Sequence, residues 1–256
     1  MTEHIRLSDG GGWLEIALCR PAKKNALTAA MYHAMTGALL MASGRDDIAC
    51  VLITGDGDAF CAGNDLADFV QGPDGAAPAM AFIEALAAFD KPLVAAVQGM
   101  AVGIGTTMLL HCDLVYAAPD ARFAMPFVKL GLVPEAGSSL LAPALLGRAK
   151  AAAMLLLGET MGAEEAERAG LVSALVPAEN LHEHARAKAV TIAGLPRAAL
   201  LATRRLLRPS ASALEGRIAE EAALFAEALQ SSEAQAAFAA FAARSSEPPL
   251  AKEQTT

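Results

Sequence analysis

Pro92-Leu-Val-Ala-Ala-Val-Gln-Gly-Met-Ala-Val-Gly-Ile-Gly-Thr-Thr-Met-Leu-Leu-His-Cys-Asp113 is the stretch on which the reading of this chain turns. No charged residue falls between Lys91 and Asp113. Leu93 to Val97 is short and apolar and carries the β-branched Val94 and Val97, which suits a strand buried on both faces. Gly99, Gly103 and Gly105 then permit a tight turn and close backbone approach, and Thr106 to Cys112 can continue as a helix. Such a turn leaves backbone N–H groups unpaired at a helix start, where a partial negative charge is the natural occupant.

Rival readings of the stretch can be weighed on composition and context. Its length is that of a membrane span, but a proline, a glutamine, two threonines and three glycines make it a poor one. The spacing Gly99, Gly103, Gly105 matches the glycines of short-chain dehydrogenases, which place them after the first strand and add a Tyr-x-x-x-Lys pair. Here Tyr32 is followed four residues later by Thr36, and Tyr116 by Asp120, so the nicotinamide reading fails on both counts. A buried strand–turn–helix without chemistry is the plain alternative.

A chain of 256 residues with 54% apolar and 19% charged residues can bury a sizeable core in one compact unit. The net charge of −8 argues against a nucleic-acid footprint, though not against an anionic ligand held by a few local cations. Cys19, Cys50, Cys61 and Cys112 form no close pairs, which suggests reduced thiols, and Met1 to Gly12 lacks the pattern of a signal peptide. A cytoplasmic location is the expectation.

Going outward, Trp13 to Arg20 alternates as a strand ended by Pro21, and Thr28 caps a helix reaching about Ser43. Lys23 and Lys24 lie in the loop between, either solvated or holding phosphates. Ala49 to Gly55 is a second strong strand. It runs through Asp56-Gly-Asp58 into Phe60-Cys-Ala-Gly-Asn-Asp-Leu66, where Gly63 admits a ligand and Asn64 or Asp65 opens a helix. Two glycine turns after adjacent core strands offer two converging N–H groups, the makings of an oxyanion hole.

Phe60 to Leu66, followed by Lys91-Pro-Leu-Val-Ala-Ala-Val-Gln-Gly99, Gly103 and Cys112-Asp113, resembles the crotonase superfamily, also called the enoyl-CoA hydratase/isomerase family. The likeness runs nearly end to end through Arg20-Pro21, Asn25-Ala26-Leu27, Arg122-Phe123, Gly131-Leu-Val-Pro134 and Gly158 to Val172. It implies an α/β fold of the ClpP/crotonase type, built of repeated ββα units with a C-terminal helical trimerisation region. By the same likeness, residues 1–195 would form the core with the acyl-CoA site and 196–256 the helical region for oligomerisation. Homotrimers, or hexamers as dimers of trimers, are implied, with Phe238 and Phe241 buried in that region. The substrate would be an acyl-CoA thioester, coenzyme A being part of the substrate, with no separate cofactor, metal, nucleic acid or membrane partner. Carried over by position, the oxyanion amides are those of Asn64 and Ile104, and Lys23, Lys24, Ala62, Asp65 and Leu66 lie where the family holds the CoA moiety.

The Gly/Pro/Ala-rich Gln71 to Pro78 reads as a mobile loop, bordering the acyl pocket by the resemblance, and Ala79 to Phe89 as a helix. Leu114–Ala118, Arg122–Met125 and Leu171–Val176 read as strands, and Asn180 as the cap of a helix toward Ile192. His182 and His184, two apart, face different ways and suggest no metal. Three amphipathic helices follow over 197–208, 213–229 and 233–244, and the last dozen residues read as disordered.

Glu135 is the only acid between Asp120 and Glu159, in Gly131-Leu-Val-Pro-Glu-Ala-Gly-Ser-Ser139. A carboxylate among apolar neighbours has a raised pKa and serves as a general base near neutral pH. Otherwise it is an ordinary acid at the start of a helix near Ser138. Hydratases of the family carry two glutamates, where this chain has Thr107 and Phe127. Glu135 instead falls where peroxisomal-type Δ3,Δ2-enoyl-CoA isomerases and bacterial phenylacetate-pathway isomerases keep their single acid. The resemblance therefore implies an isomerase, with a hydratase or a non-catalytic acyl-CoA-binding protein as alternatives.

Overall fold

A computed structural model describes residues 3–65 and 73–246. The chain opens with β1 (Ile5–Asp9), β2 (Trp13–Leu18), α1 (Ala29–Gly44) and β3 (Cys50–Gly55). Then come α2 (Pro73–Ala88), β4 (Leu93–Val97), β5 (Met100–Val102), α3 (Ile104–Thr107), β6 (Leu114–Ala117) and β7 (Arg122–Ala124). Next follow α4 (Ser138–Leu146), α5 (Arg148–Leu156), β8 (Thr160–Gly162), α6 (Ala163–Ala169) and β9 (Ala174–Leu175). The chain continues through α7 (Leu181–Ala193), α8 (Arg197–Leu207), α9 (Ala211–Leu229) and α10 (Ser232–Ser246).

Two sheets result. The larger has the order β1-β2-β3-β4-β6-β9, parallel from β2 onward. The smaller has the order β5-β7-β8. The expected ββα repeat appears as β4-β5-α3, with β4 in the large sheet and β5 in the small one, and β6 and β7 divide in the same way, whereas β1 and β2 both lie in the large sheet.

Every residue of β2, β3 and β4 is buried, because both faces of the large sheet are covered. Leu14, Ile16, Val51, Ile53 and Ala95 pack with Met35, Leu39, Phe82 and Leu86 of α1 and α2. Their alternates Trp13, Cys50, Leu52, Val94 and Ala96 pack with Leu181, Ala185, Ala189 and Ile192 of α7. This two-sided burial is why the strands read as continuous apolar runs. Glu15 lies within β2 and is tolerated because Thr54 Oγ1 (3.0 Å) and Arg186 Nη2 (2.9 Å) donate to Oε1.

Several expectations are corrected. Residues 73–78 are helical, as the first part of α2, rather than loop. Pro73 stands at a helix start, where its missing N–H costs nothing, and the packing of Ala79, Phe82, Ile83 and Leu86 carries the helix through Pro78. The helix expected from Thr106 begins at Ile104 and tightens into a 3₁₀ turn over Met108–His111. Asn180 makes no capping bond, since the preceding 3₁₀ turn runs directly into α7 and leaves its backbone helical. The strand expected over 171–176 narrows to β9. Phe238 is half-buried against the core, while the Phe241 side chain, Leu66 and the last ten residues lie outside the described residues.

Asn25 ties the loops at one end of the large sheet. It is fully buried in left-handed backbone (φ 55°), accepts the Arg20 N–H (2.8 Å) and donates to Asp56 O (2.9 Å) and Ala59 O (2.8 Å). Asn tolerates this conformation better than most residues, and its removal orphans two carbonyls and an amide. Asn25→Ala is expected to destabilise the protein by roughly 3 kcal/mol. The check is a lower denaturation midpoint at unchanged slope; a midpoint equal to that of the parent would contradict this account.

Candidate functional site

The site starts where the segment that follows β3 meets β5. Cys61 pairs in parallel with Ala101 of β5, and the Cys61 N–H bonds Met100 O (3.0 Å) while Val102 N–H bonds Cys61 O (2.9 Å). Asn64 and Ile104 each lie three residues beyond that bridge. Gly63 (φ 95°) lets the two stretches touch: a Cβ there would stand 3.0 Å from Val102 O. A Cβ on Gly105 would stand 2.6 Å from Cys61 O.

Gly103 aims the second amide. Its φ of 55° and ψ of −122° are those of the first corner of a type II′ turn, which glycine adopts without strain. Thr106 locks the turn by donating to Ala101 O (2.6 Å) and accepting from Ala124 N–H (3.2 Å). Neither the Asn64 nor the Ile104 amide bonds an acceptor among the described residues. Tyr32 of α1 donates to the Asn64 side-chain carbonyl, orienting that residue from behind.

One helical turn past Ile104, Thr107 Oγ1 donates to Glu135 Oε1 (2.5 Å). Glu135 is 6% exposed, and burial pushes its carboxyl up to about 8, against the Thr107 bond and with the nearby Glu221 carboxylate adding to the rise. The carboxyl is thus tied, through Thr107, to the short helix that Ile104 opens, and its pKa is near neutrality. Phe127 is buried as well.

The turn after Glu135 is held from two sides. Ala136 (φ 60°) and Gly137 (φ 69°) are both left-handed. Buried His111 bonds Ala136 O through Nε2 (2.7 Å); a carbonyl only accepts, so Nε2 carries the hydrogen. Burial lowers this imidazole to about 4 and keeps it neutral. Glu221 of α9 accepts Gly137 N–H (2.6 Å) and Ser139 N–H (2.8 Å).

The residues expected at the CoA end come together. The Ala62 N–H bonds Lys24 O (2.9 Å), the Asp65 N–H bonds Leu27 O (2.8 Å), and Asp65 Oδ2 accepts from Arg20 Nη1 (2.6 Å). Lys24 is ion-paired with Asp58, and Lys23 is exposed on the same loop. Tyr32, His111 and Glu221 were not singled out by sequence. Glu221 left a signal: it interrupts the buried stripe Leu214, Ile218, Phe225, Leu229 of an amphipathic helix.

Two amides without an acceptor among the described residues, and a protonatable buried carboxyl tied to the helix that one of them opens, suit proton transfer next to a carbonyl oxygen that becomes anionic. The chain matches the model of the enoyl-CoA hydratase/isomerase family over residues 9–248. A probable enoyl-CoA hydratase of Rhodobacter capsulatus is 37% identical over 235 residues, 85% of this chain and 88% of that protein. Rat enoyl-CoA delta isomerase 2 is 39% identical over 212 residues, 80% of this chain and 54% of that longer protein. The solved structure of Pseudomonas aeruginosa OdaA superposes with a TM-score of 0.89 at 46% identity, covering 94% of this chain and 99% of its own. The fold, the paired turns and these relatives agree: the chain belongs to the enoyl-CoA hydratase/isomerase family of acyl-CoA enzymes, the crotonase superfamily.

Proposed function

We propose that this chain is an enoyl-CoA isomerase that converts a 3-enoyl-CoA to a 2-enoyl-CoA. The observation that carries the reading is one buried carboxyl, Glu135, bonded to Thr107 of the short helix that Ile104 opens, while Thr107 and Phe127 stand, by the resemblance, where a hydratase would hold its acids. Relatives with hydratase and isomerase names are about equally similar, so the names do not choose between the two.

In this mechanism the thioester oxygen lies between the Asn64 and Ile104 amides, and the loop of Lys23, Lys24, Ala62 and Asp65 borders the CoA moiety. Glu135, as carboxylate, takes a proton from C2. The electron pair moves into a dienolate whose charge rests on the thioester oxygen, where each N–H contributes about 3–4 kcal/mol. The carboxylic acid so formed returns its proton to C4, and the double bond shifts from C3–C4 to C2–C3. Atoms and electrons balance without a metal or redox group. A pKa near 8 favours both halves, since the group must accept and then release the same proton. Leu206 and Leu207, 82% and 79% exposed on α8, support subunit association through the C-terminal region.

Two outcomes test this. Purified protein given 3-hexenoyl-CoA should form 2-hexenoyl-CoA, and crotonyl-CoA should gain no water, both followed by mass-resolved chromatography. Glu135→Gln should lower the first rate about 10³-fold with CoA-ester binding retained. Addition of water to crotonyl-CoA, or full activity in Glu135→Gln, would sink the assignment.

The second outcome concerns pH. Since the base must be ionised, kcat/KM should climb with pH and level off above about 8. Stability should run the other way. The native carboxyl keeps its proton up to about 8, whereas in the unfolded chain it loses it near the ordinary 4.5. The resulting stabilisation is full below that lower value and is lost as pH rises through about 8. Denaturation at pH 5 and pH 9 should therefore show the parent losing stability relative to Glu135→Gln at the higher pH. A pH-independent difference between the two would contradict the raised pKa.

A further inference from the structure

We propose that Glu221, on α9 of the C-terminal helical region, is a positioning residue for Glu135, clamping the turn that aims its carboxyl. The clamp is direct: Glu221 Oε2 accepts Gly137 N–H and Oε1 accepts Ser139 N–H, so both oxygens are committed to the two residues that frame the start of α4. Glu221 is 5% exposed and 84 residues removed in sequence from Gly137. A buried carboxylate of this kind stays because it is fully hydrogen-bonded, and a helix N-terminus favours its charge.

The turn needs such a clamp. Ala136 is a non-glycine residue at φ 60° directly followed by left-handed Gly137, a backbone that persists only where surroundings over-determine it. His111 holds the carbonyl side at Ala136 O, and Glu221 holds the amide side. Leu214 and Ile218, two turns and one turn earlier on α9, close over Gly137: a Cβ there would come within 2.6 Å of Leu214 Cδ1 and 3.4 Å of Ile218 Cγ1. Thus α9 both excludes water from the turn and fixes its amides.

A second effect comes with the first. The Glu221 charge disfavours ionisation of Glu135. The other titratable or charged groups around the turn are Arg217 of α9, which donates to Ser139 Oγ (3.3 Å), His111 with Arg208 behind it (3.5 Å), and the Cys61 thiol, which senses the Glu135 charge. Among the described residues around the turn, Glu221 is the carboxylate whose charge raises the Glu135 proton affinity.

The proposal rests on Glu135 as the base, but its test does not depend on turnover. In full-length protein labelled with [¹³Cδ]glutamate, the Glu135 resonance is assigned by its loss in Glu135→Gln, then titrated in the parent and in Glu221→Gln. Gln keeps the size and one acceptor, which preserves folding, but turns an N–H donor toward one of the two amides. The expected result is a midpoint lower by about half a unit or more. Faster hydrogen exchange at the Gly137 and Ser139 amides should accompany it. With 3-hexenoyl-CoA, kcat should fall about 10-fold at little-changed KM, and further in Glu221→Ala. An unchanged midpoint and unchanged exchange in folded Glu221→Gln would overturn the proposal, as would a loss of activity explained wholly by a smaller folded fraction. If the parent does not isomerise 3-hexenoyl-CoA, the reaction assigned above falls, while the titration and exchange still decide the role of Glu221.

Discussion

The parallel bridge between Cys61 and Ala101 is the contact on which the site depends. In a parallel pair the register is set once and holds for the residues that follow, so one bridge decides which two amides emerge together. Glycine then finishes the work at two points, Gly63 by allowing contact and Gly103 by turning the amide outward. The repeated ββα unit thus supplies by repetition what the site needs in duplicate.

The carboxyl answers to a different force. Glu135 has its proton affinity raised chiefly by desolvation, while Thr107 partly restrains the rise. A buried acid is costly to ionise, and the surrounding fold carries that cost through packing: Phe127, Leu132 and Ala136 are all buried in the same core. Stability and proton affinity are therefore coupled at one side chain. The neutral His111 shows the complementary case, a titratable group kept uncharged so that it serves as a fixed donor.

Much of this was legible in the sequence, for definable reasons. The strands β2, β3 and β4 announced themselves because burial on both faces leaves unbroken apolar runs. Gly63 and Gly103 were readable because only a few residues permit such turns, and Glu135 because it stood alone in a long acid-free segment. What escaped depends on distant partners. The start of α2 is fixed by packing on α1, against its own proline- and glycine-rich composition. Glu221 and His111 act across 84 and 25 residues, and no local pattern reveals a bond of that span. The interruption of an apolar helical stripe by a carboxylate was the nearest thing to a clue.

The short bond from Thr107 to Glu135 also constrains how this protein could diverge. A carboxyl introduced at position 107 would meet the existing one at hydrogen-bonding distance, and two such groups would share a single proton and titrate as a pair. A second acid cannot simply be added at that position beside an unchanged first. To keep two acids that titrate independently, such a variant would have to relocate or release Glu135. The turn that holds it is anchored from α9 and from His111, so the path between the two chemistries runs through residues far from either acid in sequence.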